Sequence, residues 1–201
     1  MYGYELPGAG ISPDGRFVAV VTLDRLDDTG TRMEHLDVFD RTTRTWTRAW
    51  TSDVITRPDI SDMVTVLATL DDGSLVFDVT DPGNAGAFMV SHGVRLWDAA
   101  TSTTSQLIAD DPAAQGWSAS PDGRFVGYTG SDRSGPPSNA SFGTPHLLDR
   151  QTGAVLPAGS RPLTLPVGIG TGGERVLLFS YDPALNQNPA AGNGLLLWNR
   201  G

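Results

Sequence analysis

The hexapeptide Ser12–Phe17, SPDGRF, occurs a second time at Ser120–Phe125, 108 positions further along this chain of 201 residues. Its first four letters are typical of a tight turn between two antiparallel strands. Proline presets φ at the first central position, aspartate bonds back to the backbone, and glycine adopts the positive φ of a bulged hairpin. Each copy leads into an apolar run, so the repeat indicates a recurring unit of turn and strand.

Two sets of landmarks give the period of this repeat. A turn glycine precedes an apolar run four times, at steps of 58, 50 and 50 residues; these glycines are Gly15, Gly73, Gly123 and Gly173. A second apolar run ends 25 or 26 residues after each glycine, at steps of 58, 51 and 50; the terminal residues are Asp40, Asp98, Asp149 and Asn199. Two independent landmarks with one period predict four copies of the same structural unit.

Each copy is predicted to contain four short strands. The first strand leads into the turn, and the second, such as Phe17–Thr22 or Val176–Ser180, is apolar nearly throughout, so we expect both of its faces to be buried. The third strand is the run that ends in the motif acid. Fourth strands are predicted at Thr45–Trp50, Thr104–Ala109 and Ala154–Pro157. Long polar loops are predicted between second and third strands, at residues 24–34, 80–91, 131–144 and 182–193.

Four antiparallel strands in roughly 50 residues form a propeller blade. The sequence therefore predicts an all-β fold, a single β-propeller domain of about four blades with the last blade incomplete. The predicted blades cover approximately residues 7–50, 51–109, 110–158 and 159–201. No segment shows a stripe of period 3.6 long enough for a helix.

These motifs resemble those of the TolB-type, WD-repeat-like β-propeller family. The shared features are the SPDG turn before an apolar strand, a third strand that ends in an aromatic residue and aspartate, and a turn such as Arg150–Gly153. The resemblance covers nearly the whole chain and implies a fold, while such blades serve many functions. In some families of this kind they accompany hydrolases. Two departures are Gly172 in place of the turn aspartate and Leu148 in place of the aromatic residue.

Counting strands leaves the closure of the ring open. The last unit contains three predicted strands and no fourth, and only 14 residues precede Gly15. Three alternatives follow. The segment Tyr2–Leu6 closes the ring, the chain is a segment or remnant of a longer propeller, or two copies pair into an eight-bladed ring. An open ring exposes apolar strand faces, and such patches mark interfaces. We therefore expect a protein partner or self-association through open blade edges.

The composition argues against several classes of function. The net charge of −9 and the isoelectric point near 4.6 argue against binding to nucleic acid and to acidic membrane surfaces. The chain contains no cysteine, and its 14 basic residues are all arginine, which excludes thiolate and lysine chemistry within this sequence. The first residues do not resemble a secretory signal peptide, so a cytoplasmic, bacterial protein is the default expectation.

Candidate catalytic and metal-binding residues do not converge on one site. His35, His92 and His146 lie 5, 6 and 3 residues before their motif acids, so they do not share a structural position. Asp24, Asp27 and Asp28 lack the spacing of a calcium loop. We predict no metal and no cofactor.

Neither a hydrolase motif nor the tryptophans point to an active site. The segment 116–120, GWSAS, departs from the hydrolase pattern G-x-S-x-G at its last position and lies on a predicted first strand. The five tryptophans fall within or beside strands, so we expect them to pack between blades; they are Trp46, Trp50, Trp97, Trp117 and Trp198. No catalytic residue is predicted.

The remaining candidates for a ligand or partner site lie in loops between blades. The segment 51–60 contains the eight additional residues of the 58-residue step. The candidate residues are Asp53, Arg57 and Asp59 in this loop and Asp110 and Asp111 in the next. The predicted function is a non-enzymatic module for protein binding or scaffolding. The alternatives are an accessory propeller of a hydrolase or other enzyme, and a fragment of a longer propeller protein.

Overall fold

The computed structural model describes residues 8–26, 31–53, 63–81, 90–108, 115–130, 144–158, 164–180 and 194–200. All regular structure within these ranges is β-strand, in agreement with the predicted all-β class. The strands are β1 (Ala9–Ile11), β2 (Phe17–Arg25), β3 (Arg32–Asp40), β4 (Thr45–Thr51), β5 (Met63–Thr69), β6 (Leu75–Asp81), β7 (Val90–Asp98), β8 (Thr103–Gln106), β9 (Gln115–Ala119), β10 (Phe125–Thr129), β11 (Pro145–Asp149), β12 (Ala154–Pro157), β13 (Thr164–Ile169), β14 (Arg175–Ser180) and β15 (Gly194–Asn199).

The strands form four antiparallel sheets, each made of consecutive strands. Blade 1 has the order β1-β2-β3-β4, blade 2 β5-β6-β7-β8, and blade 3 β9-β10-β11-β12. Blade 4 has three described strands in the order β13-β14-β15. The prediction of a partial propeller of about four blades, with the last one incomplete, is confirmed. The segment Tyr2–Leu6, which was one candidate for closing the ring, lies outside the described residues.

Most predicted strands lie where the sequence places them, with different ends. The fourth strand of blade 3 has its predicted bounds, whereas β8 ends at Gln106 and not at Ala109. The loops between second and third strands are shorter than predicted in blades 1 and 2. Residues 24–25 and 32–34 are paired in the ladder between β2 and β3.

The blades are held together by apolar side chains between consecutive sheets. One cluster joins blades 1 and 2 and includes Phe17, Leu36 and Phe77. A second joins blades 2 and 3 through Val76, Val94, Val126 and Leu148, and a third joins blades 3 and 4; the third contains Phe125, Leu147, Ile169, Val176 and Leu178. Burial of a large apolar side chain contributes about 1.5–3 kcal/mol, so these clusters make consecutive blades one packed body.

Turn glycines allow an aromatic ring of the preceding blade to approach the backbone. Gly73 and Gly173 have φ of 88° and 69°, and a Cβ built on them would lie 2.9 and 2.7 Å from the rings of Phe17 and Phe125. Each phenylalanine is the last residue of an SPDGRF copy. The hexapeptide therefore forms its own turn and also supplies the ring that packs on the next blade.

The prediction that second strands are buried on both faces is correct only for the inner blades. Described side chains of β6 are all buried, and β10 has one half-buried residue, Tyr128. In β14, by contrast, buried residues alternate with Arg175 and Leu177, which are exposed. The reason is that one face of an end blade has no neighbouring blade among the described residues.

Of the four tryptophans whose side chains are described, three follow the predicted packing. Trp97 is buried, and Trp50 and Trp198 are partly buried against the clusters between blades. Trp46 is 59% exposed and lies against the ring of Phe39, with the ring centroids 4.8 Å apart, so the prediction is wrong for this residue. Trp46 lies on the face of blade 1 that is turned away from blade 2, in a row with Val18 and Phe39, and no sheet among the described residues covers this face.

Candidate functional site

The repeated hexapeptide SPDGRF is a structural unit, because its polar atoms bond to one another. The Phe17 amide donates to Ser12 Oγ at 2.9 Å, and the Arg16 amide donates to Asp14 Oδ1 at 2.9 Å. The Gly15 amide closes the turn on the Ser12 carbonyl at 2.8 Å. The second copy repeats the serine bond to the Phe125 amide at the same distance. These groups are therefore occupied in the turn and leave little for a ligand.

The arginine of each hexapeptide binds the aspartate that ends the third strand. Arg16 binds Asp40 through two nitrogens, at 3.2 and 2.7 Å, and Arg124 binds Asp149 at 3.0 and 2.8 Å. Hydrogen bonds from Arg16 hold the pKa of the Asp40 carboxyl far below its ordinary value. In the same way, Arg124 lowers the pKa of Asp149 to about 2. In blades 1 and 3, the residue after the turn glycine is thus the ion-pair partner of the aspartate that ends the third strand.

The predicted loop residues are not brought together by the described structure. Asp53 follows β4 with an exposed side chain, and its carbonyl oxygen accepts a hydrogen bond from Ser52 Oγ at 2.7 Å. The other four candidates, Arg57, Asp59, Asp110 and Asp111, lie outside the described residues. The proposed ligand loop therefore stays a prediction.

His35 is a hydrogen-bonded strand residue, as predicted. It is 3% exposed; its Nε2 lies 2.9 Å from Asp24 Oδ2, and its Nδ1 lies 3.0 Å from Thr51 Oγ1. His146 on β11 stacks near Tyr128 with ring centroids 5.4 Å apart. The side chain of His92, and residues 27 and 28 of the acidic loop, are outside the described part. Among the residues that are described, no three His, Asp or Glu side chains are placed to hold a metal ion.

The first strands of the four blades and their turns surround a cavity of about 630 Å³. None of the described residues that line it carries a charge. Its serines are used by the fold: Ser118 Oγ donates to the Pro166 carbonyl of the next blade at 2.6 Å, and Ser120 Oγ accepts from the Phe125 amide. The segment 116–120 is thus a strand of the propeller, as predicted, and its serine is a link between blades.

A β-bulge at the same position of three first strands shapes this cavity. The ladders with the second strands skip one residue in each case: Leu67 in blade 2, Trp117 in blade 3 and Val167 in blade 4. A bulge bends its strand and redirects a side chain. The three residues are spaced at the 50-residue period, which is a signal that the sequence analysis did not use. The residue types alone, all apolar, gave no reason to single them out.

Two apolar sheet faces at the ends of the row of blades are exposed. The blade-4 end face consists of Leu177, Phe179, Leu195 and Leu197; the three leucines are 38, 63 and 60% exposed. The blade-1 end face is a row across four strands, formed by Ile11, Val18, Phe39 and Trp46. Ile11 and Trp46 are 61 and 59% exposed. Contiguous exposed apolar side chains of this kind mark interaction surfaces.

No family model and no curated protein matches this sequence. Solved structures do match the fold. TolB from Acinetobacter baumannii is similar with a TM-score of 0.57 and 17% identity, over 96% of this chain and 40% of that one. The β-propeller domain of the Trilobed protease from Pyrococcus furiosus, described as having an open velcro topology, is similar with a TM-score of 0.58 and 13% identity. The chain has a TolB-like β-propeller fold.

The TolB-like fold is shared with propellers attached to peptidases. The match to the Trilobed protease domain covers 95% of this chain and 53% of that one. An acylaminoacyl peptidase is similar with a TM-score of 0.60 and 12% identity, over 99% of this chain and 32% of the peptidase. The chain thus spans about a third to a half of the length of these proteins. At such identities the likeness concerns the fold, and function has to be argued from the surfaces.

The described ranges contain no helix that is long and apolar enough to cross a membrane.

Proposed function

We propose that this TolB-like propeller is a non-enzymatic module that binds a protein, or a second copy of itself, through its exposed end faces. The single observation that carries the proposal is the exposure of Leu195 and Leu197, 63 and 60%, on one face of blade 4. Water-exposed leucines side by side on a sheet are unfavourable by roughly 25 cal/mol per Å² of apolar surface, and covering them with a partner removes that cost.

The chemistry of the other surfaces supports a binding function. The cavity between the first strands has no charged side chain among its described lining residues. Its described serine hydroxyls bond to the backbone. Both arginines of the hexapeptides are held in ion pairs with strand aspartates. These observations favour the exposed apolar area of the end faces as the surface that engages another molecule.

A site-specific crosslink tests this function. A photo-crosslinking amino acid is placed at Leu197, and in a matched control at Val155, which is 52% exposed on β12 of blade 3, away from both end faces. We expect irradiation of native cells to give a discrete protein adduct, identified by mass spectrometry, from position 197 but not from position 155. Equal yields, or no adduct at either position, would contradict the proposal.

An accessory role beside a hydrolase is the second candidate. It is favoured by the likeness to the acylaminoacyl peptidase, of which this chain covers 32%. A crosslinked adduct that reacts with a fluorophosphonate probe would identify a serine hydrolase as the partner. The third candidate is a fragment of a longer propeller. The intact mass of the protein purified from its native cells tests this candidate, because a mass above the 21.3 kDa of this chain supports a longer protein.

A further inference from the structure

Equivalent positions in blades 1 and 4 differ in exposure where a neighbouring blade is missing. Within blade 3, one face of the second and third strands packs on the preceding blade and the other on the following blade. In blade 1, the residue four places after the turn glycine is Ala19, which lies on the following side in the cluster with blade 2 and is 0% exposed. The same place in blade 4 is Leu177, which is 38% exposed.

The third strands show the same contrast on a larger scale. Leu197 pairs with Leu177 as Val38 pairs with Ala19, and the two are 60 and 4% exposed. Leu195 occupies the place of Leu36, and these are 63 and 0% exposed. Blade 4 therefore carries the apolar side chains of a covered face without the cover.

The preceding side of blade 1 is uncovered in a complementary way. Three places after the turn glycine stand Val126 and Val176 in blades 3 and 4, both 0% exposed, whereas Val18 in blade 1 is only half-buried. At the end of the first strand, Ile11 is 61% exposed and its counterpart Ile169 in blade 4 is 7% exposed.

The junction between blades 3 and 4 joins the following side of blade 3, with Phe125, to the preceding side of blade 4, with Val176 and Leu178. The blade-4 end face and the blade-1 end face are the two halves of one more such junction, and within one chain both are exposed. The geometry points to a second copy of this chain as the occupant: the blade-4 end face of each copy packs on the blade-1 end face of the other. This deepens the proposed function and rests on it. Two copies give two identical junctions and a closed ring of eight blades.

The size of this ring agrees with known propellers. Propellers have about four to eight blades. The Trilobed protease propeller domain superposes on 95% of this chain, which covers only 53% of that domain. Four blades of this curvature thus make about half of a ring of that length. A second copy supplies the other half.

The turn end of the new junction places Arg175 beside charges of both signs. In blades 1 and 3, Phe17 and Phe125 pack on the turn glycine of the following blade; the same position in blade 4 is the exposed Arg175. Gly15, the turn glycine of blade 1, has only Arg41 within 4 Å of its Cβ position, at 3.7 Å. Next to it, Asp14 is exposed and carries a carboxyl whose pKa is lowered by its turn partners. In the paired ring, Arg175 lies over Gly15 of the other copy and close to the Asp14 carboxylate.

Light scattering behind a sizing column tests the pairing with the full chain. We expect twice the chain mass of 21.3 kDa. Leu197→Asp and, separately, Ile11→Asp should each give the single-chain mass, because each change places a charge in both junctions and weakens pairing roughly 100-fold or more. Val155→Asp, on an equally exposed residue outside both end faces, should leave the doubled mass. Unchanged circular dichroism shows that the variants are folded.

A mixing experiment identifies which faces pair. In an equimolar mixture of Leu197→Asp and Ile11→Asp, one junction combines two unaltered faces, so a mixed dimer forms although neither variant dimerises alone. A folded single chain in the unaltered protein overturns the proposal, as does a dimer that survives either substitution. Growing oligomers overturn the two-copy ring. If the chain is single in solution but position 197 crosslinks to another protein in cells, the second copy is wrong and the protein-binding function stands.

Discussion

Replacing Gly173 by alanine tests the packing of Phe125 between blades 3 and 4. The new Cβ would lie 2.7 Å from the ring, whereas ordinary contacts are 3.4–4 Å, so ring and turn have to separate by about 0.7 Å. Such overpacking costs about 1–3 kcal/mol. The residue also has a φ of 69°, which costs a non-glycine residue about 1–2 kcal/mol. We expect Gly173→Ala to lower the free energy of unfolding by about 2–5 kcal/mol.

Gly153→Ala is the matched control. Its φ is 72° and nothing lies within 4 Å of its Cβ position, so only the cost of about 1–2 kcal/mol for the positive φ applies. Urea unfolding, followed by tryptophan fluorescence at a fixed protein concentration, gives both free energies. Adding Phe125→Leu to each variant measures the coupling: the excess cost at position 173 should shrink and the cost at 153 should not change. Equal costs for the two alanine variants would refute the packing argument.

Three further predictions concern single residues. Arg124 lowers the pKa of Asp149 from 3.8 to about 2, so this ion pair stabilises the folded state above pH 3.8 and the stabilisation is lost as the pH falls through about 2. The free energy of unfolding should therefore fall with pH between these two values, and Asp149→Asn should reduce this slope. Ser102 has a φ of 53° in a turn where blade 3 has glycine, so Ser102→Gly should raise the unfolding free energy by about 0.5–1 kcal/mol, and a lower value would contradict this. Thr69 is 3% exposed and its hydroxyl has no hydrogen-bond partner, so Thr69→Val should stabilise the fold by about 1 kcal/mol in thermal unfolding, whereas destabilisation would indicate an unseen partner.

The sequence was sufficient for the fold because the turn chemistry is local. Ser12, Asp14 and Gly15 satisfy one another within six residues, and an identical copy fixes the period without reference to any distant contact. The same reasoning located β12 at its observed bounds. It failed for burial at the ends: an apolar strand looks the same in sequence whether or not a neighbouring blade covers it. The exposure of Leu177 and Trp46 depends on their place in the row of blades.

The candidate site was less predictable, for a physical reason. Charged loop residues such as Asp53 were predicted as candidates because polar side chains suggest binding. The described surface whose contact with water is least favourable is, however, the apolar end face of blade 4. Its leucines occupy positions at which blades 1 and 3 have buried residues, among them Leu36 and Leu147. An unusual exposure at an ordinary residue is visible only when equivalent positions are compared in three dimensions.

Only blades 1 and 3 have the complete hexapeptide. Comparing them with blades 2 and 4 distinguishes residues that stabilise a blade's own turn from residues on which the preceding blade packs. Blade 4 has Gly170 and Gly172 where SPDG has serine and aspartate, so the side-chain hydrogen bonds of the turn are lost, while the Gly173 amide still donates to the Gly170 carbonyl at 3.0 Å. It keeps Gly173, the residue on which Phe125 packs. Blade 2 likewise lacks the serine but keeps Gly73 beneath Phe17. The turn glycine is therefore constrained by the preceding blade. Gly15 has no such ring above it within the described chain and still has a φ of 72°, because its own turn requires that conformation.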